Sequence, residues 1–398
     1  MNKLAKCLCC DSNELEPILN LGSQPLANSY HNGSSLESYP LELNLCSTCW
    51  HLQLAYAIDP DLMFKEYLYV SGTSNTLKKY FEWFVDFVLT YNSSASKVLD
   101  IACNDGTQLD FFKNKGLKTY GIDPALNLLP ISTKKGHRVV GEYFTNESIN
   151  KLEQLEFDVI TAQNVFAHNT YPLEFLKVCK NILSKTGHIF IQTSQADMVI
   201  NNEFDTIYHE HISFFSIYSM LYLVERSGLY LNDVIKTDIH GNSYVFVISK
   251  NNKQEKSVQE ELNRFIVNNL NSTLRYKEYA KSSYKVVKDL KNKILEYRNN
   301  GHLIVGYGAA AKGNTLLNFG KIELDFIIDD NPLKQNLLTP GMDILIKPLE
   351  YLNEIHINKP VVFIPLAWNF YSEIKKNIET VRKTNNIFVK YFPELNIE

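Results

Sequence analysis

Residues 205–216 read DTIYHEHISFFS and set Tyr208, His209, Glu210 and His211 side by side, ahead of Phe214 and Phe215. Imidazole near its ordinary pKa can take a proton close to neutrality, so general acid–base work is the first reading. Two others compete with it. On an extended segment His209 and His211 share a face and could ligate a metal, but His-x-His needs further ligands and lacks the helical metalloprotease spacing. The bland alternative is a polar loop packed by the two phenylalanines. A second group is Cys7-x-x-Cys10 with Cys46-x-x-Cys49, two hooks separated by 35 residues. Such hooks can face one tetrahedral Zn²⁺, and four thiolates close its shell, so the role would be folding. Cys9 and His51 are spare candidates, and four unrelated buried cysteines are the poorer account of this spacing.

These side chains need elements to position them. KVLDIACNDGT from Lys97 reads as a strand, a tight turn and a helix start at 108–115, where backbone N–H groups can receive a ligand. KTYGIDP then forms a second strand ending on Asp123, an acid placed to hold a ribose hydroxyl pair. Apolar residues at Leu77, Phe81, Phe84, Val85 and Val88 predict a helix over 76–89, and strand-like runs follow at 138–142, 157–162, 188–193 and 243–248. Strands alternating with helices indicate a doubly wound sheet. Of a dinucleotide fingerprint only Gly106 remains. Asn164 and His168 follow the run 158–162, one helical turn apart at the carboxyl edge where such sheets bind ligands.

Further on, 253–300 is charged with apolar residues at intervals that suggest two helices bridging domains. HLIVGYGAAAKG at 302–313 is again strand, glycine turn and helix start, followed by DFIIDD at 325–330 and strands at 360–365 and 387–391. Alone, GYGAAAKG invites a nicotinamide-linked oxidoreductase, but its glycine spacing departs from that fingerprint. A helix start beside Lys312 could instead hold a pyrophosphate. Trp368 and Asn369 could line the same cleft, although a core indole accounts for Trp368 as well.

The whole chain sets limits. At 398 residues it exceeds one core and should form two or three domains. It is 45% hydrophobic with 23 tyrosines, as a soluble globular protein is, and its net charge of −4 offers no basic footprint for nucleic acid. No run of 18 apolar residues predicts a membrane span, and MNKLAKCLCC lacks the apolar region of a secretory signal. Five of the seven cysteines lie within the first 49 residues, which suggests a metal site in a reducing compartment, hence the cytoplasm.

DIACNDG with GIDP resembles the first two motifs of S-adenosylmethionine-dependent methyltransferases. That resemblance implies that Asp100, Asn104, Gly106 and Asp123 surround the cofactor, with Asp123 on the ribose. Taken in order, the cysteine hooks, LGSQPLAN, YLYVSG, NDGT, NVFAH, DTIYHEHISFFS and GYGAAAKGNTLLN resemble the sugar C-methyltransferases, which act on nucleotide-linked 4-keto-deoxy sugars. The fold it implies is α/β: a small zinc-binding domain over 1–75, a doubly wound Rossmann-like methyltransferase domain over 76–251, and a second Rossmann-like domain over 252–398. The sugar nucleotide would lie between the last two. His211 would be the base, with Tyr208, Glu210, His168, Asn164 and a tyrosine of YLYVSG around the sugar; Tyr69 is favoured and Tyr67 stays open. Glu210 would fix the His211 tautomer or orientation, and Gly308 and Lys312 would bind substrate. One departure stands out: relatives carry a glycine pair, a small residue and an arginine after this His-Gly, where His240-Gly-Asn-Ser-Tyr244 has Asn242 and Tyr244. The expected partners are S-adenosylmethionine, structural Zn²⁺ and a nucleotide-linked sugar, without nucleic acid or membrane, and a monomer fits them. O- or N-methylation on this scaffold, or a zinc-containing scaffold protein without catalysis, stays open here.

Overall fold

A computed structural model describes residues 1–398 apart from positions 66, 68, 69, 74, 155 and 393. Its centre is a seven-stranded sheet in the order Tyr230–Thr237, Ser243–Ser249, Leu183–Thr193, Phe157–Gln163, Lys97–Ile101, Lys118–Ile122 and Arg138–Val140. The last five are parallel, and Ser243–Ser249 runs antiparallel to both of its neighbours. Alternation along the strands supplies two cores. Leu99, Ile160 and Ile191 face one side, while Val98, Val159 and Phe190 face the other. Both faces are therefore covered, as a parallel sheet requires.

The helix Asn75–Tyr91 buries Leu77, Phe81, Phe84, Val85 and Val88, the apolar set its spacing predicts. Each fully buried side chain of this kind contributes about 1.5–3 kcal/mol. Beyond residue 251, helices Lys256–Val267 and Thr273–Asn299 lead into a six-stranded sheet ordered Ile346–Lys347, Phe326–Ile328, Leu303–Tyr307, Val361–Pro365, Asn386–Lys390 and Asn396–Ile397. All its pairings are parallel except the last.

The first 60 residues hold more than the cysteine hooks. Leu15–Pro25, Ser38–Cys46 and Leu52–Leu54 form an antiparallel sheet, and its fourth strand is Ser213–Phe214. The strand that follows His211 therefore belongs to the sheet built around the cysteines. Among the described residues, no helix is long and apolar enough to cross a membrane.

Candidate active site

A cleft of about 740 Å³ opens where the three regions meet. Asn28 and Tyr30 line it from the N-terminal region, Asn104 and Asp123 from the loops of the central one, and Lys312 and Lys334 from the C-terminal one.

At its central end the chain leaves the strand Lys97–Ile101 through Ala102, Asn104 and Gly106, all at left-handed φ (60°, 52° and 76°). A Cβ on Gly106 would stand 2.8 Å from His137 Cδ2, so both the backbone angle and the neighbour demand glycine there. Gly106 shapes the turn from behind the cleft wall. Asp123 accepts the Asn104 N–H (2.8 Å) and the Ala125 N–H (2.8 Å), which fixes its carboxylate on the cleft, and burial raises its pKa. Carboxylate lone pairs remain for a hydroxyl pair. Asp100 accepts instead from Gln108 Nε2 (2.9 Å) and Thr161 Oγ1 (2.7 Å), and burial raises it to about 7. Motif reading missed a strap over this turn. The Ser71 N–H donates to Asn104 Oδ1 (3.0 Å) and the Gly72 N–H to Asp105 Oδ2 (3.2 Å), and a Cβ on Gly72 would meet Asp105 Oδ2 at 2.5 Å. Its one sequence trace is the glycine of YLYVSG.

At the other end, the His211 N–H donates to the Tyr208 carbonyl at 2.9 Å, so residues 208–211 form a tight turn. This corrects the extended segment on which His209 and His211 would share a face. His209 turns away to the Tyr39 carbonyl (3.2 Å), and the metal-ligating group found among the described residues is the four cysteines. His211 Nδ1 lies 2.7 Å from the Thr206 carbonyl, which can only accept, so Nδ1 carries the proton. Nε2 then accepts from the Tyr208 hydroxyl at 2.8 Å. Burial first, and the neighbouring His168 second, hold the imidazole well below its usual pKa, and it is neutral.

His168 stacks on His211 (5.3 Å) and on Phe64 (5.3 Å), and burial lowers it to about 4. Its Nε2 and Asn164 Oδ1 are buried without a partner among the described residues, and both side chains line the cleft. Unpaired polar atoms facing a cleft are places for a ligand to bond. Glu210 needs a correction. It does not orient His211, whose Nδ1 is held by Thr206; its carboxylate accepts from Asn28 Nδ2 (2.5 Å) and the Tyr67 hydroxyl (3.4 Å). Burial raises Glu210 to about 7. Tyr67 thus reaches the cleft, while Tyr69 lies outside the described residues.

On the C-terminal wall, Lys312 donates to the His240 carbonyl (3.1 Å) and lies 4.8 Å over the Trp368 ring. Asn369 lines the cleft, but Gly308 and Trp368, expected beside it, stand behind the wall. Gly308 (φ 89°) lets its loop close on Ala367, whose Cβ would be 2.7 Å from an added one, and the Trp368 indole donates to Asp205 (2.8 Å). Two wall residues carried no motif. Lys334 donates to the Ala309 carbonyl (2.7 Å) and covers the Tyr30 ring at 4.9 Å, and the Tyr30 hydroxyl donates to the same carbonyl (2.5 Å). In the divergent loop His240 meets the cleft, whereas the Tyr244 hydroxyl donates away from it to Glu261 (2.9 Å) and Asn242 (φ 87°) is a turn residue outside the wall.

The sulfurs of Cys7, Cys10, Cys46 and Cys49 lie within 4.8 Å of one another, with Cys7–Cys49 and Cys10–Cys46 at 3.5 Å. A tetrahedral Zn–S bond of about 2.3 Å needs sulfurs about 3.8 Å apart, so the set fits zinc. Cys9 and His51 are outside it; His51 Nε2 meets Ser213 Oγ at 3.1 Å.

Three family models match in sequence: a zinc binding domain over residues 7–64, a methyltransferase domain over 75–234 and a C-methyltransferase C-terminal domain over 238–393. The C-methyltransferase NovU of Streptomyces niveus is 27% identical over 406 residues, spanning 98% of this chain and 96% of its own. A ubiquinone biosynthesis O-methyltransferase of Glaesserella parasuis is 29% identical over 107 residues, 24% of this chain and 44% of its own. A solved S-adenosylmethionine-dependent methyltransferase of Archaeoglobus fulgidus covers 44% of this chain and 94% of its own, at 15% identity and a TM-score of 0.36. With the three models in order along it and NovU aligned nearly end to end, the chain is an S-adenosylmethionine-dependent methyltransferase with a zinc-binding module, similar along almost its whole length to a C-methyltransferase.

Proposed function

We propose that this protein methylates the carbon beside the ketone of a nucleotide-linked 4-keto-deoxy sugar, in the making of branched-chain sugars in the cytoplasm. The observation that carries the reading is His211: a buried neutral imidazole with Nδ1–H locked on Thr206 and its Nε2 lone pair on the Tyr208 hydroxyl. A carbon beside a ketone is acidic only if the developing enolate oxygen is stabilised. When Tyr208 turns its hydrogen to that oxygen, it frees Nε2 of His211 to take the proton. Tyr208 and His168 as donors contribute on the order of 3 kcal/mol each to the oxyanion. Asn164 and Glu210, with Tyr67, hold sugar hydroxyls.

Asp123 and Asn104 would hold S-adenosylmethionine, which supplies an electrophilic sulfonium methyl. With that methyl donor held there, the sugar carbon would take up the methyl group as its bond to sulfur breaks, and His211 would keep the proton until release. The base and the sugar carbon must be held together for this, which the shared cleft allows. In this reading the boundaries near residues 75 and 251 separate a zinc module, a cofactor domain and a substrate domain. Lys312 and Asn369 meet the nucleotide from the last, and the zinc takes no part in the chemistry.

The test is incubation with labelled S-adenosylmethionine and a panel of nucleotide 4-keto sugars, with fragmentation of the product. A methyl group on the carbon next to the ketone is expected. A methyl on oxygen or nitrogen overturns the reading, and absence of S-adenosylhomocysteine binding in calorimetry would favour a scaffold without catalysis.

A further inference from the structure

The cysteine module reaches the base by a short path. The knuckle that supplies Cys46 and Cys49 closes with the Trp50 N–H on the Cys46 carbonyl (2.9 Å) and the Cys46 N–H on the His51 carbonyl (2.9 Å). His51 is fully buried; its Nε2 meets Ser213 Oγ at 3.1 Å and its ring packs on Phe215 at 4.9 Å. Directly after it, Leu52–Leu54 pairs with Ser213–Phe214 through only two register positions, Ser213 with Gln53 and Phe214 with Leu52. The Leu54 N–H adds a bond to the Ile212 carbonyl (2.9 Å), and the Ile212 N–H donates to Ala167 (2.8 Å), next to His168. The backbone that carries His211 is therefore clamped between the knuckle and the His168 turn. A two-residue pairing is weak alone, so a buried side-chain bond at its end has leverage on register.

We infer that His51 is a positioning residue for His211, held in place by the tetrathiolate site and acting through Ser213. The module then does more than fold the chain: it sets where the base points. The inference rests on His211 being the base, as proposed above.

The test uses the full chain loaded with zinc, with His51→Ala, His51→Gln and Ser213→Ala. Four quantities are read: zinc per chain, S-adenosylhomocysteine affinity by calorimetry, kcat and KM for the acceptor the wild type methylates, and the ¹⁵N imidazole signals of His211. A displacement of about 1 Å costs up to about 100-fold, so His51→Ala should lose about 10- to 100-fold in kcat, with KM and cofactor affinity within about two-fold and zinc retained. Ser213→Ala should show the same loss, the double variant should lose about two-fold or less beyond it, and His51→Gln, which keeps a polar group able to bond Ser213 near the Nε2 position, should recover part of the rate. A kcat within about two-fold of wild type in both alanine variants overturns the inference. So does joint loss of zinc, cofactor binding and rate that His51→Gln does not relieve, since that marks a purely structural residue. If the wild type itself methylates no acceptor, the functional reading fails instead. The ¹⁵N signals then decide: a shift of the His211 pattern in Ser213→Ala supports positioning, and an unchanged pattern overturns it.

Discussion

The two strand–turn–helix units of this chain brace themselves in the same way yet face different surroundings. In the central one, Asp123 at the end of the second strand accepts the Asn104 N–H of the turn and the Ala125 N–H two residues on, both at 2.8 Å. In the C-terminal one, Asp329 accepts the Ala309 N–H of the turn at 2.6 Å and the Asn331 N–H two residues on at 2.8 Å. The acid in each case pins its own loop. The difference lies in front of the turn. Ser71 and Gly72 strap the first from outside and leave Asp123 on the cleft. The chain's own Tyr30 and Lys334 take up the Ala309 carbonyl of the second. A glycine turn and an acid therefore do not define a cofactor site; what stands before them decides. That is the physical case against reading GYGAAAKG as a nicotinamide slot.

The largest expected effect checks where the chemistry lies. His211→Ala should lower methyl transfer by about 10²- to 10⁴-fold, measured with radiolabelled cofactor, while S-adenosylhomocysteine still binds. Next, the comparison itself can be broken with a pair. Asp123→Ala should weaken S-adenosylhomocysteine by about 10- to 100-fold in calorimetry, and Asp329→Ala by about two-fold or less. Equal losses would mean the two turns are not distinguished by function.

Glu210 gives a pH signature. Burial raises its folded pKa to about 7 from an ordinary 4.5, so the fold disfavours the charged form. Between those values the unfolded chain has released its proton and the folded one has not. The contribution to stability is therefore lost as pH rises from 4.5 to about 7 and stays lost above it. Glu210→Gln removes that loss, so its stability relative to wild type should grow over this window by on the order of 1–3 kcal/mol in urea unfolding. A difference that is flat with pH would contradict the burial account. The smallest effect falls on the second turn. Lys334→Met should raise the acceptor KM by roughly three- to ten-fold and leave cofactor affinity unchanged, sharpening the assignment of that turn to the substrate side.

Local patterns made much of this legible. Paired cysteine hooks brought four sulfurs together, and helical spacing named the five buried residues of Asn75–Tyr91. Asn164 and His168 do share the cleft, because the end of a parallel strand is where such sheets open. What was hidden depends on contacts between distant segments. Four consecutive polar residues carry no periodicity, so nothing in Tyr208–His211 announced a turn that throws His209 and His211 apart. Tyr30 and Lys334 meet only when the N-terminal sheet docks on the C-terminal one. The resemblance gives Gly308 to substrate binding, but its lack of a side chain serves the approach of Ala367. The two-residue strand Ser213–Phe214 is too short for alternation to show, and its pairing partner lies in another module.

The central claim is that this cleft removes a proton from the carbon beside a ketone. Solvent deuterium exchange measures it most directly, with a nucleotide 4-keto sugar in deuterated buffer and no S-adenosylmethionine. The wild-type protein should wash deuterium into that position, followed by mass spectrometry, and His211→Ala should not. Equal incorporation by the two proteins, or none by a wild type that methylates the same sugar, would contradict the account.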